Sequence, residues 1–437
     1  MQLTTAALGV RSLRAAYRAG TLTPHEVVDL VADRIAGRGA DAVWISRFTR
    51  TELHEQAAAL LPGPLYGVPF AVKDNIDVAG LPTTAACPTF AYSPAADATA
   101  VRLLREAGAL VVGKTNLDQF ATGLNGTRSP YGAPESVFGG DLISGGSSSG
   151  SAVAVAAGQV AFSLGTDTAG SGRVPAALNG VVGLKPTRGL VSTSGVVPAC
   201  RSLDCVSVFT RDLDDAADVL AVLAAPDPAD PWSRPARASR GPGAGRLLLP
   251  TGLDFVGDTA MEAAFDAVAR GVDAVGTTPV GPLCEAGDLL YAGPWVAERL
   301  AGLESFLVEH PDDVLPVTRA VLEQGRDHTA VDAFRARHRL QELRARTDRL
   351  WADADALLLP TVPTTFTRAQ LAEQPVARNL VLGRYTQFAN LLDLAAVAVP
   401  AGLTDDGRPH GVTLLGPAFS EDRLLSAARQ SITREAA

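Results

Sequence analysis

Lysine is nearly absent from this chain. Three occur, Lys73, Lys114 and Lys185, in a Lys+Arg total of 38, and arginine supplies every other fixed cation. A guanidinium cannot be deprotonated in a protein, whereas a buried amine can lose its proton and act as a base. All three lysines flank a serine- and glycine-dense block from Gly145 to Arg173. Their scarcity therefore directs attention to Lys73 beside a run of serines, and to a serine nucleophile activated by lysine. Cysteine is also scarce. Cys87, Cys200, Cys205 and Cys284 have no metal-like pairing, and so few in a long chain are expected of a reducing compartment. No H-x-x-x-H or paired Cys/His spacing suggests zinc. Positive charge is lacking as well: the net charge of −9 argues against a nucleic-acid partner. The first residues lack a charged-then-apolar signal segment. No residue between Asp141 and Asp167 is charged, but serines and glycines interrupt that stretch, so it reads as a buried functional loop and not a membrane span. The expectation is a cytoplasmic protein with no metal, nucleic-acid or membrane partner.

What is present fits a soluble globular fold, with 47% hydrophobic and 19% charged residues among 437. That length suits one large domain or two to three average ones. Residues 9–36 predict two short helices, the second starting at Thr23-Pro24. Short apolar runs at 70–72, 109–112, 160–164, 181–184, 247–250, 356–360, 396–400 and 412–415 predict strands, several apolar throughout as strands buried on both faces should be. Helical stretches lie between them, including 329–352, with Val331, Phe334, Leu340, Leu343 and Leu350 near one stripe. The alternation predicts an α/β layer fold around a buried sheet. The Pro-, Gly- and Arg-rich stretch 226–246 reads as a linker or a surface excursion.

Gly108–Thr115, GALVVGKT, matches the phosphate-loop pattern G-x-x-x-x-G-K-[ST]. Its intervening residues are Ala-Leu-Val-Val, which predict a buried strand where a phosphate cradle needs a loop, and no strand precedes it. Nucleotide binding is set aside on that ground.

The block GGSSSGSAVAVAAGQVAFSLGTDTAGSGRVPA holds two small-residue clusters, Gly145–Ser151 and Gly165–Arg173. Such density suits close approach of backbone to a ligand. In the second cluster, backbone N–H groups of Thr168, Ala169, Gly170 and Ser171 could converge as an oxyanion hole. Turns joining strand to helix, with Ala152–Ala157 merely packing, explain the same composition. The six histidines lie outside both clusters. Spatial proximity could still assemble a Ser-His-Asp site, but lysine is the better base.

These segments resemble those of the amidase-signature family. VPFAVKDNIDVAG (68–80) is similar to its lysine segment, GGSSSGSA (145–152) to its glycine–serine segment, and GTDTAGSGRVPAALNGVVGLKPTRG (165–189) to its nucleophile segment. The resemblance implies Ser171 as nucleophile, Ser147 as bridging serine with a cis peptide, and Lys73 as base. It implies a central mixed β-sheet covered by helices on both faces, no cofactor and, as a family habit, a homodimer. The expectation for domains is one such domain over 1–437 with no second C-terminal domain, a departure from relatives that often continue into one. Lys114 and Lys185 are expected to be structural ion pairs.

Within the family the chain resembles the amidase domain of allophanate hydrolases, through TNLDQFATGLNGTRSPYG (115–132), VPACRSLDCVSVF (197–209), GRYTQFANLLDLAAVAVPAG (383–402) and GVTLLGPAFSE (411–421). Ala169 and Gly172 stand where general amidases more often carry Gly and Ile. The resemblance implies that Tyr291 and Arg299, eight residues apart in YAGPWVAER, hold a substrate carboxylate, and that backbone near Gly123 lines the pocket. Without it, Arg299 reads as a solvated helix residue paired with a glutamate. Asn125 departs from the apolar residue more usual there. The expected reaction is release of ammonia from allophanate, a small-molecule amide. The rivals are a different acid amide such as malonamate, the amidase component of a tRNA-dependent amidotransferase, and a catalytically silent assembly module.

Overall fold

The computed structural model describes residues 8–236 and 245–432. One mixed sheet of eleven strands organises the chain. In chain order these are β1 Trp44–Arg47, β2 Pro69–Lys73, β3 Leu110–Thr115, β4 Phe162–Asp167, β5 Val182–Lys185, β6 Cys205–Thr210, β7 Leu247–Thr251, β8 Ala274–Pro279, β9 Ala356–Pro360, β10 Leu394–Leu403 and β11 Pro409–Pro417. Across the sheet they run β1-β3-β2-β4-β6-β5-β10-β11-β9-β7-β8. β2 is parallel to β3 and β4, and β7 to β8 and β9, while the centre from β4 through β6, β5, β10, β11 and β9 is antiparallel. Every residue of β2, β3, β4, β5, β6 and β9 is buried. Successive side chains point to opposite faces, so both faces of the sheet are covered there. All eight strands expected from apolar runs are present.

The helices follow from local chemistry. The second begins where expected: Thr23 caps it, accepting from the Glu26 N–H while the Glu26 carboxylate accepts from the Thr23 N–H, with Pro24 at the first position. The helix Ala330–Thr347 buries Ala336, Leu340, Leu343 and Thr347. The stripe expected from sequence is therefore displaced, because Val331 and Phe334 are more than half exposed. Gly108–Thr115 is strand-bound as read: Leu110–Thr115 is β3, which seats Lys114 against a carboxylate. The second small-residue cluster is partly strand, since Gly165–Asp167 pair with Ser207–Cys205 at the end of β4. Of the stretch 226–246, residues 237–244 lie outside the described residues. Strands from before and after it join the same sheet. Among the described residues no helix is long and apolar enough to cross a membrane.

Candidate active site

The three lysines sit at one edge of the sheet. Lys73 ends β2 and Asp167 ends the parallel β4, and the antiparallel partner of Asp167 is Cys205, first residue of β6. The carboxyl ends of adjacent parallel strands are the usual place for an α/β site. Lys73 is fully buried and its Nζ lies 2.8 Å from Ser147 Oγ and 2.6 Å from Thr166 Oγ1. Burial pushes its pKa down to about 7, against the opposing pull of Asp118, Asp204 and Asp167. A neutral amine is thus accessible near neutral pH.

Ser147 follows a cis Gly146–Ser147 peptide. Its carbonyl accepts from the Asp118 N–H at 3.0 Å, and the next residue, Ser148, donates to the Thr166 carbonyl. The helix Ser149–Ala156 then departs into the core, buried along nearly its whole length. Gly150 has no room for a side chain, because a Cβ would collide with backbone of Val43 and Asn116.

Asp167 shapes the loop that carries Ser171. It accepts from the N–H groups of Gly170 and Gly172, each at 3.0 Å, and from Arg173 Nε and Nη2, each at 2.9 Å. Burial alone would raise its pKa, but the charge and hydrogen bonds of Arg173 hold it below the usual carboxylate range. Gly170 takes φ +131°, which favours glycine, and a Cβ there would strike Thr386. At Gly172 a Cβ would lie 2.6 Å from Ser207 Cβ, a physical reason why isoleucine cannot stand there. The Gly170 N–H is therefore already committed to Asp167. Among the described residues the N–H groups of Thr168, Ala169 and Ser171 have no acceptor. The Thr168 hydroxyl donates to Asp204 at 2.5 Å, and burial raises the pKa of that carboxylate. Ser171 is buried, and its hydroxyl is bonded to neither Ser147 nor Lys73.

Tyr291 and Arg299 come together: Arg299 Nη2 lies 3.4 Å from Tyr291 Oη, and the guanidinium carbon is 5.4 Å from the tyrosine ring centre. Arg299 is 2% exposed and no carboxylate lies within ion-pair distance among the described residues. Its remaining contacts are long, 3.4 Å each to the Ala121 carbonyl and Thr122 Oγ1, and its Nε has no partner. The neighbouring Glu298 turns away to Ser202. A solvated arginine paired with glutamate is thus not what the fold contains. Gly123 adjoins this contact, and a Cβ there would come within 2.5 Å of Asp118 Oδ2.

Lys114 forms the expected ion pair, 3.0 Å from Asp74 with both side chains fully buried. Lys185 does not. It donates to the Pro186 carbonyl at 2.7 Å and lies 3.7 Å from Cys205 Sγ, with no carboxylate within ion-pair reach among the described residues. The carboxylate at that end of the sheet, Asp167, is instead taken by Arg173. Thr166, Asp118 and Asp204 are not apparent from sequence. Nothing local marks them, since each works through contacts to residues distant along the chain.

A cavity of about 450 Å³ adjoins Tyr291, lined also by Arg128, Asn379, Gln387 and Arg384. Lys73, Ser147 and Ser171 do not line it. Among the described residues no group of three or more His, Cys, Asp or Glu is arranged to hold a metal.

A family model described as Amidase matches residues 40–269 and 304–425. Urea amidolyase of Saccharomyces cerevisiae is 46% identical over 406 residues, covering 89% of this chain and 22% of that protein. The solved structure of Kluyveromyces lactis allophanate hydrolase superposes with a TM-score of 0.92 at 40% identity, over 98% of this chain and 74% of that one. The A-type subunit of glutamyl-tRNA(Gln) amidotransferase from Symbiobacterium thermophilum is 34% identical, over 96% of this chain and 95% of that protein. The chain thus spans about a fifth of the urea amidolyase it matches. With its lysine, glycine–serine and nucleophile segments gathered at one edge of a mixed sheet, the chain belongs to the amidase family.

Proposed function

We propose that this protein hydrolyses the terminal amide of allophanate, releasing ammonia through a serine acyl-enzyme. The observation that carries the chemistry is the buried Lys73–Ser147 hydrogen bond, with an amine whose pKa lies near 7. In this reading Ser171 attacks the amide carbon and its proton passes through Ser147 to Lys73. The reverse path protonates the departing nitrogen, and water then cleaves the ester. The N–H groups of Thr168, Ala169 and Ser171 face the developing oxyanion, while Gly170 holds the loop through Asp167. Thr166 keeps Nζ oriented by accepting one of its hydrogens.

The substrate assignment rests on Arg299 and Tyr291. Arg299 is buried with no carboxylate in ion-pair contact among the described residues; burial opposes its charge while Tyr291, Cys200, Asp204 and Glu298 favour it, an environment that suits a cation whose donors are completed by an anionic ligand. A small amide bearing a carboxylate supplies that anion, with Gly123 leaving space beside it. In the net reaction allophanate, a monoanion, and one water become N-carboxycarbamate, a dianion, and ammonium, so atoms and charge balance. The dicarboxylate product then loses carbon dioxide. The reading draws support from the likeness to allophanate hydrolase and urea amidolyase. The rival reading is another small acid amide such as malonamate, recognised through the same carboxylate. The resemblance to the amidotransferase component is weaker in identity, and Arg299 has no evident use there.

The test is ammonia release by the purified protein from allophanate, malonamate, biuret and a neutral aliphatic amide, with Ser171→Ala as control. Preference for allophanate, lost in Ser171→Ala, is expected. Preference for the neutral amide would retain the serine chemistry and discard the carboxylate site, and no turnover of any amide would favour a silent assembly module.

A further inference from the structure

Arg128 presents the same anomaly as Arg299 and the proposed mechanism makes no use of it. It is 5% exposed, and no carboxylate lies within ion-pair distance among the described residues. Its side-chain donors reach only carbonyls, Nη1 to Thr122 at 2.9 Å and Nη2 to Pro375 at 2.8 Å, while Nε is buried without a partner. Burial lowers its pKa, with Asp118 and Tyr291 opposing. Two guanidiniums without an ion-pair partner among the described residues therefore grip one residue, Thr122: Arg299 through Oγ1 and Arg128 through the carbonyl. Like charges so placed repel: the charge of Arg299 adds to the effect of burial on Arg128, and Asp118 offsets only part of it, so an anion in the cavity would be favoured there.

Arg128 and Tyr291 both line the 450 Å³ cavity, and Asn379 lines it with them. The Asn379 amide has a defined orientation. Its Oδ1 accepts from the Leu124 N–H at 2.7 Å and from Asn125 Nδ2 at 2.8 Å. A backbone N–H can only donate, so the oxygen is assigned and Nδ2 is left without an acceptor among the described residues. This also gives Asn125 a role: it fixes Asn379. The carboxylates lining the cavity are Asp254 and Asp288, and Asp288 is paired with Arg384.

We infer that Arg128 and Asn379 form a second anion-recognition wall beside Tyr291 and Arg299, selecting small amides with a charged end and holding the dicarboxylate product before it leaves. The inference rests on the proposed hydrolysis of a carboxylate-bearing amide. Hydrolysis converts a monoanion into a dianion at the acyl carbon, so the product needs more positive charge than the substrate.

The experiment compares wild type with Arg128→Gln, Arg128→Lys and Asn379→Leu. It measures kcat/KM for malonamate and for the neutral malondiamide, inhibition by malonate (in which a methylene replaces the product's bridging nitrogen), and Tm. The malonamate-to-malondiamide ratio should fall about tenfold in Arg128→Gln and malonate inhibition should weaken at least as much, on the scale of one charged hydrogen bond. Arg128→Lys should recover part of both, and Asn379→Leu should weaken malonate inhibition. A merely structural Arg128 would depress both amides equally and leave the ratio unchanged, which overturns the inference while leaving the proposed function standing. A wild type that neither prefers malonamate nor binds malonate would overturn both.

Discussion

Lys73 carries the sharpest consequence at the scale of single residues. Its neutral form is the base, so kcat/KM should rise as pH passes upward through about 7 and level off above it, with activity lost on the acid side as Nζ gains a proton. A profile from about pH 5 to 9 on a substrate that does not titrate in that range checks this. A rate flat across that range would remove Lys73 as the base. Arg299→Ala should cost carboxylate-bearing amides about 1.5–3 kcal/mol in kcat/KM relative to neutral ones, the worth of a lost charged hydrogen bond. Equal losses on both classes would point to packing alone. The lysine count made Lys73 visible in the sequence, because an amine retained in an arginine-rich chain is chemically conspicuous. Thr166, Asp204 and Arg128 were invisible by the same logic: threonine, aspartate and arginine are common here, and only their partners make them unusual.

Among elements, the loop after β4 shows how a short segment is held rigid. Asp167 gathers two backbone N–H groups and a guanidinium, and Arg173 also donates to the Thr386 carbonyl at 3.0 Å. Asp167→Ala should destabilise the protein by about 3–5 kcal/mol, since Arg173 would remain buried without compensation. Urea denaturation measures it, and a loss below about 1 kcal/mol would mean the loop does not depend on the pair. The helix Ala330–Thr347 offers the converse. Phe334 is exposed, so Phe334→Ser should change stability by no more than about 0.5 kcal/mol. A large loss would restore the stripe drawn from periodicity. That stripe was misplaced because an apolar pattern tells which residues can be buried, whereas the neighbouring element decides which are. Three strands were also unmarked by apolar runs. β1 is four residues and only partly buried, β8 alternates at the sheet edge, and β6 carries Ser207 into the core. Ser207 is accepted there because Gly172 leaves the space.

For the whole molecule, continuity of the sheet matters most. Its six earlier strands lie together and its five later strands lie together, and the two sets join in one sheet where β5 pairs with β10. One apolar cluster runs from Leu8 to Ile432. Unfolding should therefore be cooperative across the sheet: fluorescence of Trp44 in β1 and of Trp351, just before β9, should report coincident urea midpoints in single-tryptophan variants. Separate midpoints would divide the sheet into independent halves. The site depends on this continuity, since Ser171 lies on the loop after β4 while Arg299 and Asn379 come from the second half and meet the Thr122–Asn125 loop from the first.

By itself the sequence determined the α/β class, eight of the strands, the start of the second helix and the three segments that bear Lys73, Ser147 and Ser171. Each of these is written locally, in apolar runs, a Thr-Pro helix start, or small residues packed densely around rare lysines and serines. Tertiary structure alone decided that Lys185 lacks an ion pair, that the Gly170 N–H belongs to Asp167, and that Arg128 and Arg299 share Thr122 without an ion-pair partner among the described residues. Those outcomes depend on which groups are withdrawn from water together. Desolvation and pairing are properties of neighbours in space, and chain order does not specify them.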